Sequence, residues 1–153
     1  MPPFPSFRFC LQGVSVVYRW FALFLGVVLL SACAEPPPYV NLDSAQVRAK
    51  MAQGTAVVDV RRADEWRETG VLPDSVLLTF VDGAGRLNPR FVDEFTRRFD
   101  KNDPVILICR TGNRTDALGR LLMEQLGYTQ VYVAEHGISR WIRDGMPTVP
   151  ARG

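Results

Sequence analysis

Histidine is almost absent from this chain: His136 is the single example in 153 residues, and cysteine occurs three times, as Cys10, Cys33 and Cys109. One imidazole and so few thiols leave no Cys/His metal cluster to build. Charge of one sign is also missing. The formal +2 arises in the first 32 residues, which hold Arg8 and Arg19 and no acid; the rest is balanced at 16 basic and 16 acidic side chains. No basic helix face is present, so nothing calls for nucleic acid. Internal repeats are lacking, and the only low-complexity stretch is Pro36-Pro37-Pro38. What remains, 47% hydrophobic residues in a chain of this length, suits one globular domain of ordinary size.

The amino-terminal segment reads as a leader. Residues 1–19 carry Pro2, Pro3 and Pro5 and only positive charge, and Trp20–Ala32 is uncharged. That run is shorter than the ~20 residues of a membrane span and fits a secretory h-region. It ends in Leu30-Ser31-Ala32-Cys33, which resembles the lipobox of bacterial lipoproteins. The resemblance implies cleavage before Cys33 and lipid on its sulfur, placing the domain in the bacterial cell envelope, membrane-anchored and facing the periplasm. The alternative, an uncleaved anchor over Val14–Ala32, would hold Arg19 within the span at a cost of about 3 kcal/mol. With Cys33 lipidated and the leader gone, Cys109 is the only free thiol and an intramolecular disulfide is impossible. The organisation is then a signal peptide over 1–32, a lipid-attachment cysteine with a stiff proline spacer over 33–38, and a folded domain over 39–150.

Within that domain, short apolar runs alternate with helical patterns. Tyr39–Leu42 predicts a first edge strand, and Asp43 or Ser44 caps a helix over Ala45–Ala52 that stops at Gly54. Strands follow at Thr55–Val60, Ser75–Val81, Val105–Ile108 and Gln130–Val133, and helices at Ala63–Glu68, Asn88–Phe99, Thr115–Met123 and Gly137–Arg143. The order predicts an α/β three-layer sandwich with a mainly parallel five-stranded sheet. Ligands in such sheets bind beyond the carboxyl ends of the strands, where both Asp59–Arg62 and Cys109 fall.

The stretch with most chemistry is Cys109-Arg110-Thr111-Gly112-Asn113-Arg114, set between a buried strand and a helix. Backbone N–H groups converge at a helix start, and its dipole favours negative charge there. Arg110 and Arg114 add two permanent positive charges, so the loop favours an anionic, nucleophilic sulfur at Cys109. A structural cysteine at a strand end needs no such cationic cradle.

Four segments together resemble the single-domain rhodanese (thiosulfate sulfurtransferase) family: Asp59-Val60-Arg61 with Glu65-Trp66, Gly70-Val71-Leu72-Pro73-Asp74-Ser75, the Cys109–Arg114 loop, and Gly137-Ile138 with Trp141, Gly145 and Pro147. Val71 stands where the family usually has histidine, Asp74 and Ser75 replace small residues, and His136 stands where a second glycine is common. The resemblance implies a rhodanese-like fold and double displacement: Cys109 takes sulfur from a small anionic donor such as thiosulfate, and a thiol or cyanide removes it. Backbone N–H groups of residues 110–114 would hold the persulfide's charge. Arg110 would steer the donor from a solvent-facing position, and Arg114 would brace the loop through Asp59. Arg61 supports the same rim, or else forms a surface ion pair with Glu65 or Asp64. Thr111, Gly112 and Asn113 shape the turn, Trp66 and Trp141 fill core, and His136 is a surface or turn residue. No cofactor or metal is implied, and a protein sulfur acceptor is left unidentified.

Three other functions compete, the weakest a redox-sensing thiol at Cys109, which has no resolving cysteine in the mature chain. A Cdc25-type phosphatase shares the fold, but its loop places five residues between cysteine and arginine, where four stand here. A membrane-tethered module could instead carry sulfur to a partner, or bind one, without turnover.

Overall fold

The computed structural model describes residues 36–152. The leader over 1–32 and the lipid-attachment residue Cys33 lie outside the described residues. Among the described residues, no helix is long and apolar enough to cross a membrane.

The strands are β1 (Val40–Leu42), β2 (Ala56–Asp59), β3 (Val76–Leu77), β4 (Val105–Ile108) and β5 (Val131–Ala134). The helices are α1 (Ser44–Ala52), α2 (Ala63–Thr69), α3 (Phe91–Thr96), α4 (Asn113–Arg120) and α5 (Gly137–Arg143). The strands form one sheet in the order β1-β5-β4-β2-β3, and all four neighbouring pairs are parallel. This is the α/β architecture that the alternating pattern predicts. β4 lies at the centre, and all four of its residues are buried, as a strand covered on both faces must be.

Side chains alternate across β4 and thereby assign its two faces. Val105, Leu107 and Cys109 join one core cluster with Phe91, Phe95 and Phe99 and with Leu118 and Leu122 of the α4 segment. Ile106 and Ile108 join the other, with Val47 of α1 and Ile138 and Trp141 of α5. The thiol therefore sits on the α3/α4 side of the sheet. The register pairs Asp59 with Ile108, so the ends of β2 and β4 lie side by side although 48 residues stand between them in sequence.

Local chemistry sets the element ends. Asp43 caps α1 by accepting the Gln46 N–H at 2.8 Å while the Gln46 side chain accepts the Asp43 N–H at 2.9 Å. The third strand is shorter than the Ser75–Val81 run predicts, because its partner β2 ends at Asp59. Beyond that end only single bonds persist, from Leu78 N–H to Asp59 and from Phe80 N–H to Val60. The next helix starts at Phe91 and not at Asn88. Asn88 donates its backbone N–H to the Phe80 carbonyl and its side-chain amide to the Thr79 carbonyl, which ties it to the preceding segment. α4 begins at Asn113, two residues ahead of the predicted start, and its continuation Leu121–Gln125 is a π-helical turn.

Tyr39 closes the β1 side of this face. Its ring covers Gly119, where an added Cβ would come within 2.5 Å of Cδ1, and its hydroxyl donates to Asp116. Burial and that carboxylate push the Tyr39 phenol up to about 12.

Candidate active site

Cys109 follows the last residue of β4 and is 1% exposed. The chain turns at once through Gly112, whose φ of 108° is a left-handed conformation available mainly to glycine. That turn brings the Gly112 N–H back to the sulfur, with N to Sγ at 3.1 Å. The Thr115 hydroxyl lies 3.6 Å from Sγ and donates to the Gly112 carbonyl at 2.8 Å, fixing the turn from inside α4. Among the described residues, one backbone N–H thus bonds the sulfur directly, where the sequence predicts a whole set of donors around it.

The outer side of the loop is held by α5. The Cys109 carbonyl accepts the Ile138 N–H at 2.8 Å, and the Arg110 carbonyl accepts the Ser139 N–H at 3.2 Å. Two otherwise unpaired amides of the α5 first turn are satisfied in this way. Because N–H and C=O point oppositely across a trans peptide, the amides of Arg110 and Thr111 face away from α5. This docking requires a glycine at 137, where φ is 59° and an added Cβ would strike the Cys109 carbonyl oxygen.

Arg114 is the second residue of α4, with its side chain 20% exposed. It forms a two-pronged ion pair with Glu65 of α2, at 2.6 and 2.7 Å. Glu65 is 5% exposed and also accepts the Arg62 N–H at 3.1 Å, capping α2. The Arg114 hydrogen bonds hold the Glu65 carboxyl below its ordinary 4.5, against the opposing effect of burial. The same bond raises Arg114, and charges at Cys109 and Asp59 add to it.

The brace on Arg114 is therefore Glu65 and not Asp59. Asp59 is taken by Arg61, which donates to its two oxygens at 2.7 to 3.1 Å. Arg61 is neither on the rim nor in a surface pair: it is 1% exposed and also donates to the Thr69 hydroxyl and to the carbonyls of Glu65 and Gly70. Asp59 and Arg61 point the same way because they stand two positions apart, either side of Val60, on extended backbone. Their buried pair anchors α2, which in turn presents Glu65 to Arg114. It is Arg62 that takes Asp64, at 2.9 Å on the surface.

Arg110, Thr111 and Asn113 are exposed at the mouth of the loop. His136 is exposed with φ 58° at the start of α5, the turn residue expected of it. Asp74 also has φ 58°. Two of the four family departures, Asp74 and His136, thus place a side chain on left-handed backbone, at a cost of about 1 kcal/mol each. Trp141 is buried and donates its indole N–H to the Pro147 carbonyl at 2.9 Å, whereas Trp66 is half-buried. Among the described residues, no three His, Cys, Asp or Glu side chains come together as a metal site. Sequence reasoning missed two participants, Thr115 and Glu65. The signal for Thr115 was its place three residues after Gly112, where a hydroxyl reaches back to the turn; for Glu65 it was the capping-box spacing from Arg62.

A buried cysteine at the end of a central parallel strand, wrapped by a turn that a helix continues, sets this chain in a class of α/β domains with a single thiol at a strand-to-helix loop. This chain belongs to the rhodanese-like domain family, whose model matches residues 43–144. It is 28% identical over 108 residues to the thiosulfate sulfurtransferase GlpE of Pseudomonas fluorescens, covering 71% of this chain and 88% of that one. Among solved structures it matches a rhodanese-related protein from Thermoplasma volcanium at 25% identity and TM-score 0.57, over 74% of this chain and all of the other. The polysulfide-sulfur transferase homodimer of Wolinella succinogenes shares the fold at TM-score 0.60 and 21% identity, over 86% of this chain and 90% of that one.

Glu65→Gln is expected to lower stability by about 2 kcal/mol at neutral pH, since it leaves the Arg114 charge unpaired and only partly solvated. If the loop transfers sulfur, its turnover should fall about tenfold as Arg114 loosens. The pH dependence has a fixed sign. A carboxyl with a depressed folded-state pKa contributes stability that is complete above its unfolded value and is lost as pH falls through the folded one. Urea unfolding at pH 7 and at pH 3 should therefore find the gap between wild type and variant narrowing in acid.

Proposed function

We propose that the protein is a sulfurtransferase that moves sulfane sulfur through a persulfide on Cys109. The observation that carries this reading is the Sγ held by the Gly112 N–H at the end of β4, in a loop whose Arg114 is fixed by Glu65. The Cys109 thiolate attacks the outer sulfur of thiosulfate, the donor's S–S bond breaks, and sulfite leaves with the electron pair. A thiol or cyanide then attacks the outer sulfur of the persulfide and returns the Cys109 thiolate, so no outside oxidant or reductant enters. Exposed Arg110 draws the anionic donor to the mouth, and the loop amides stabilise charge on the transferred sulfur. The Pseudomonas relative, a thiosulfate sulfurtransferase by name, supports the choice of donor. Thiosulfate plus cyanide should yield thiocyanate; release of phosphate from p-nitrophenyl phosphate with no thiocyanate would sink the reading in favour of a phosphatase.

The same reading places the domain on a lipid attached at Cys33, in the bacterial envelope and facing the periplasm, where it would meet small sulfur donors and thiol or protein acceptors. The sequence Leu30-Ser31-Ala32-Cys33 supports this. Globomycin should cause an unprocessed precursor to accumulate in cells, visible as a mass increase; processing that is indifferent to the drug would contradict the anchor.

A further inference from the structure

A second cavity, apart from the cysteine loop, lies at the β3 edge of the sheet. It measures about 650 Å³ and is walled by Trp66 and Arg67 of α2, Ser75 and β3, Arg98 beyond α3, and Arg152 of the carboxyl-terminal segment. This volume lies within the ~300–1,000 Å³ usual for small-molecule sites. No residue of the Cys109–Thr115 segment lines it, and no acidic side chain does either. Among the described residues, none of its three guanidiniums is in an ion pair. In the same wall, the Trp66 indole N–H is the buried side-chain polar group left without a hydrogen-bond partner among the described residues.

We propose that this cavity binds a phosphate monoester carried on a flat aromatic body. Three arginines that form no ion pair, around a cavity lined by no acidic side chain, attract a multiply charged anion. Phosphate, with three oxygens and close to two charges, engages several arginine forks, whereas one carboxylate satisfies a single fork. The Trp66 ring in the cavity wall supplies an apolar surface for a planar group. The cavity's separation from the loop makes this a binding site additional to that of the sulfur donor.

Titration calorimetry on the full chain tests the assignment, with adenosine 5′-monophosphate and phenyl phosphate as probes and inorganic phosphate and adenosine as controls. At least one ester should bind saturably with Kd below about 1 mM, and about tenfold or more tighter than either control. Whichever ester binds tells a nucleoside phosphate from a simple aryl phosphate. The Arg67→Ala/Arg98→Ala variant, changed at two exposed positions, should lose about tenfold in affinity while melting within about 3 °C of wild type. No saturable binding, equal binding of inorganic phosphate, an unchanged affinity in the variant, or competition by thiosulfate would each overturn the proposal.

Discussion

Cys109→Ser is expected to abolish thiocyanate formation, lowering turnover by about 10⁴-fold or more, to the level of the uncatalysed reaction. A hydroxyl placed at the end of β4 can accept the Gly112 N–H that now bonds the sulfur, so the loop has a near-isosteric substitute and need not open. What serine lacks is a polarisable nucleophile able to hold a second sulfur atom, and with it go both covalent steps of the transfer. Because Cys109 is 1% exposed among apolar neighbours, the extra polarity should cost no more than about 1–2 kcal/mol of stability. Thermal melting followed by circular dichroism, run beside the thiocyanate assay, separates the two effects. A variant that melts normally and makes no thiocyanate is the predicted result; one that keeps a tenth of the activity would remove Cys109 from the mechanism.

Gly137→Ala should be almost as damaging by a different route. The added Cβ would strike the Cys109 carbonyl oxygen and come within 2.7 Å of the Arg110 carbonyl, on backbone already at φ 59°. These atoms belong to two backbones, and neither can rotate away as a side chain would. Either α5 lifts off the loop, breaking the bonds from Ile138 and Ser139, or the loop shifts and carries the sulfur with it. Left-handed strain and the clash together should cost about 3 kcal/mol. Turnover should fall about 100-fold even at temperatures where the variant stays folded, since about 1 Å of misplacement costs that much. Urea unfolding and turnover at 15 °C check both parts. Full activity in a destabilised variant would mean that α5 does not set the loop's position.

Much of this arrangement was legible in the residue order. The apolar Val105–Ile108 run, followed by a glycine turn and a helical pattern, located the cysteine at the end of a buried strand, because strand period and turn chemistry are local properties. The parallel sheet followed from the alternation of strand and helix. Partners across the chain were not legible. Arg114 was assigned to Asp59, but 49 residues separate it from Glu65, and only the placement of α2 brings them together. Arg61 read as a rim or surface group because arginine is rarely buried; it is buried here because Asp59, Thr69 and two carbonyls supply its guanidinium with acceptors. The shortened third strand has a similar origin, since its length depends on where β2 ends.

The central claim is that one sulfur atom travels on Cys109. Mass spectrometry of the intact protein after exposure to thiosulfate, with excess donor removed, tests it most directly. The wild type should gain about 32 Da, one sulfur atom, which cyanide then removes with release of one thiocyanate per chain, while Cys109→Ser gains nothing. An unmodified wild type, or an equal gain in the variant, would contradict the account.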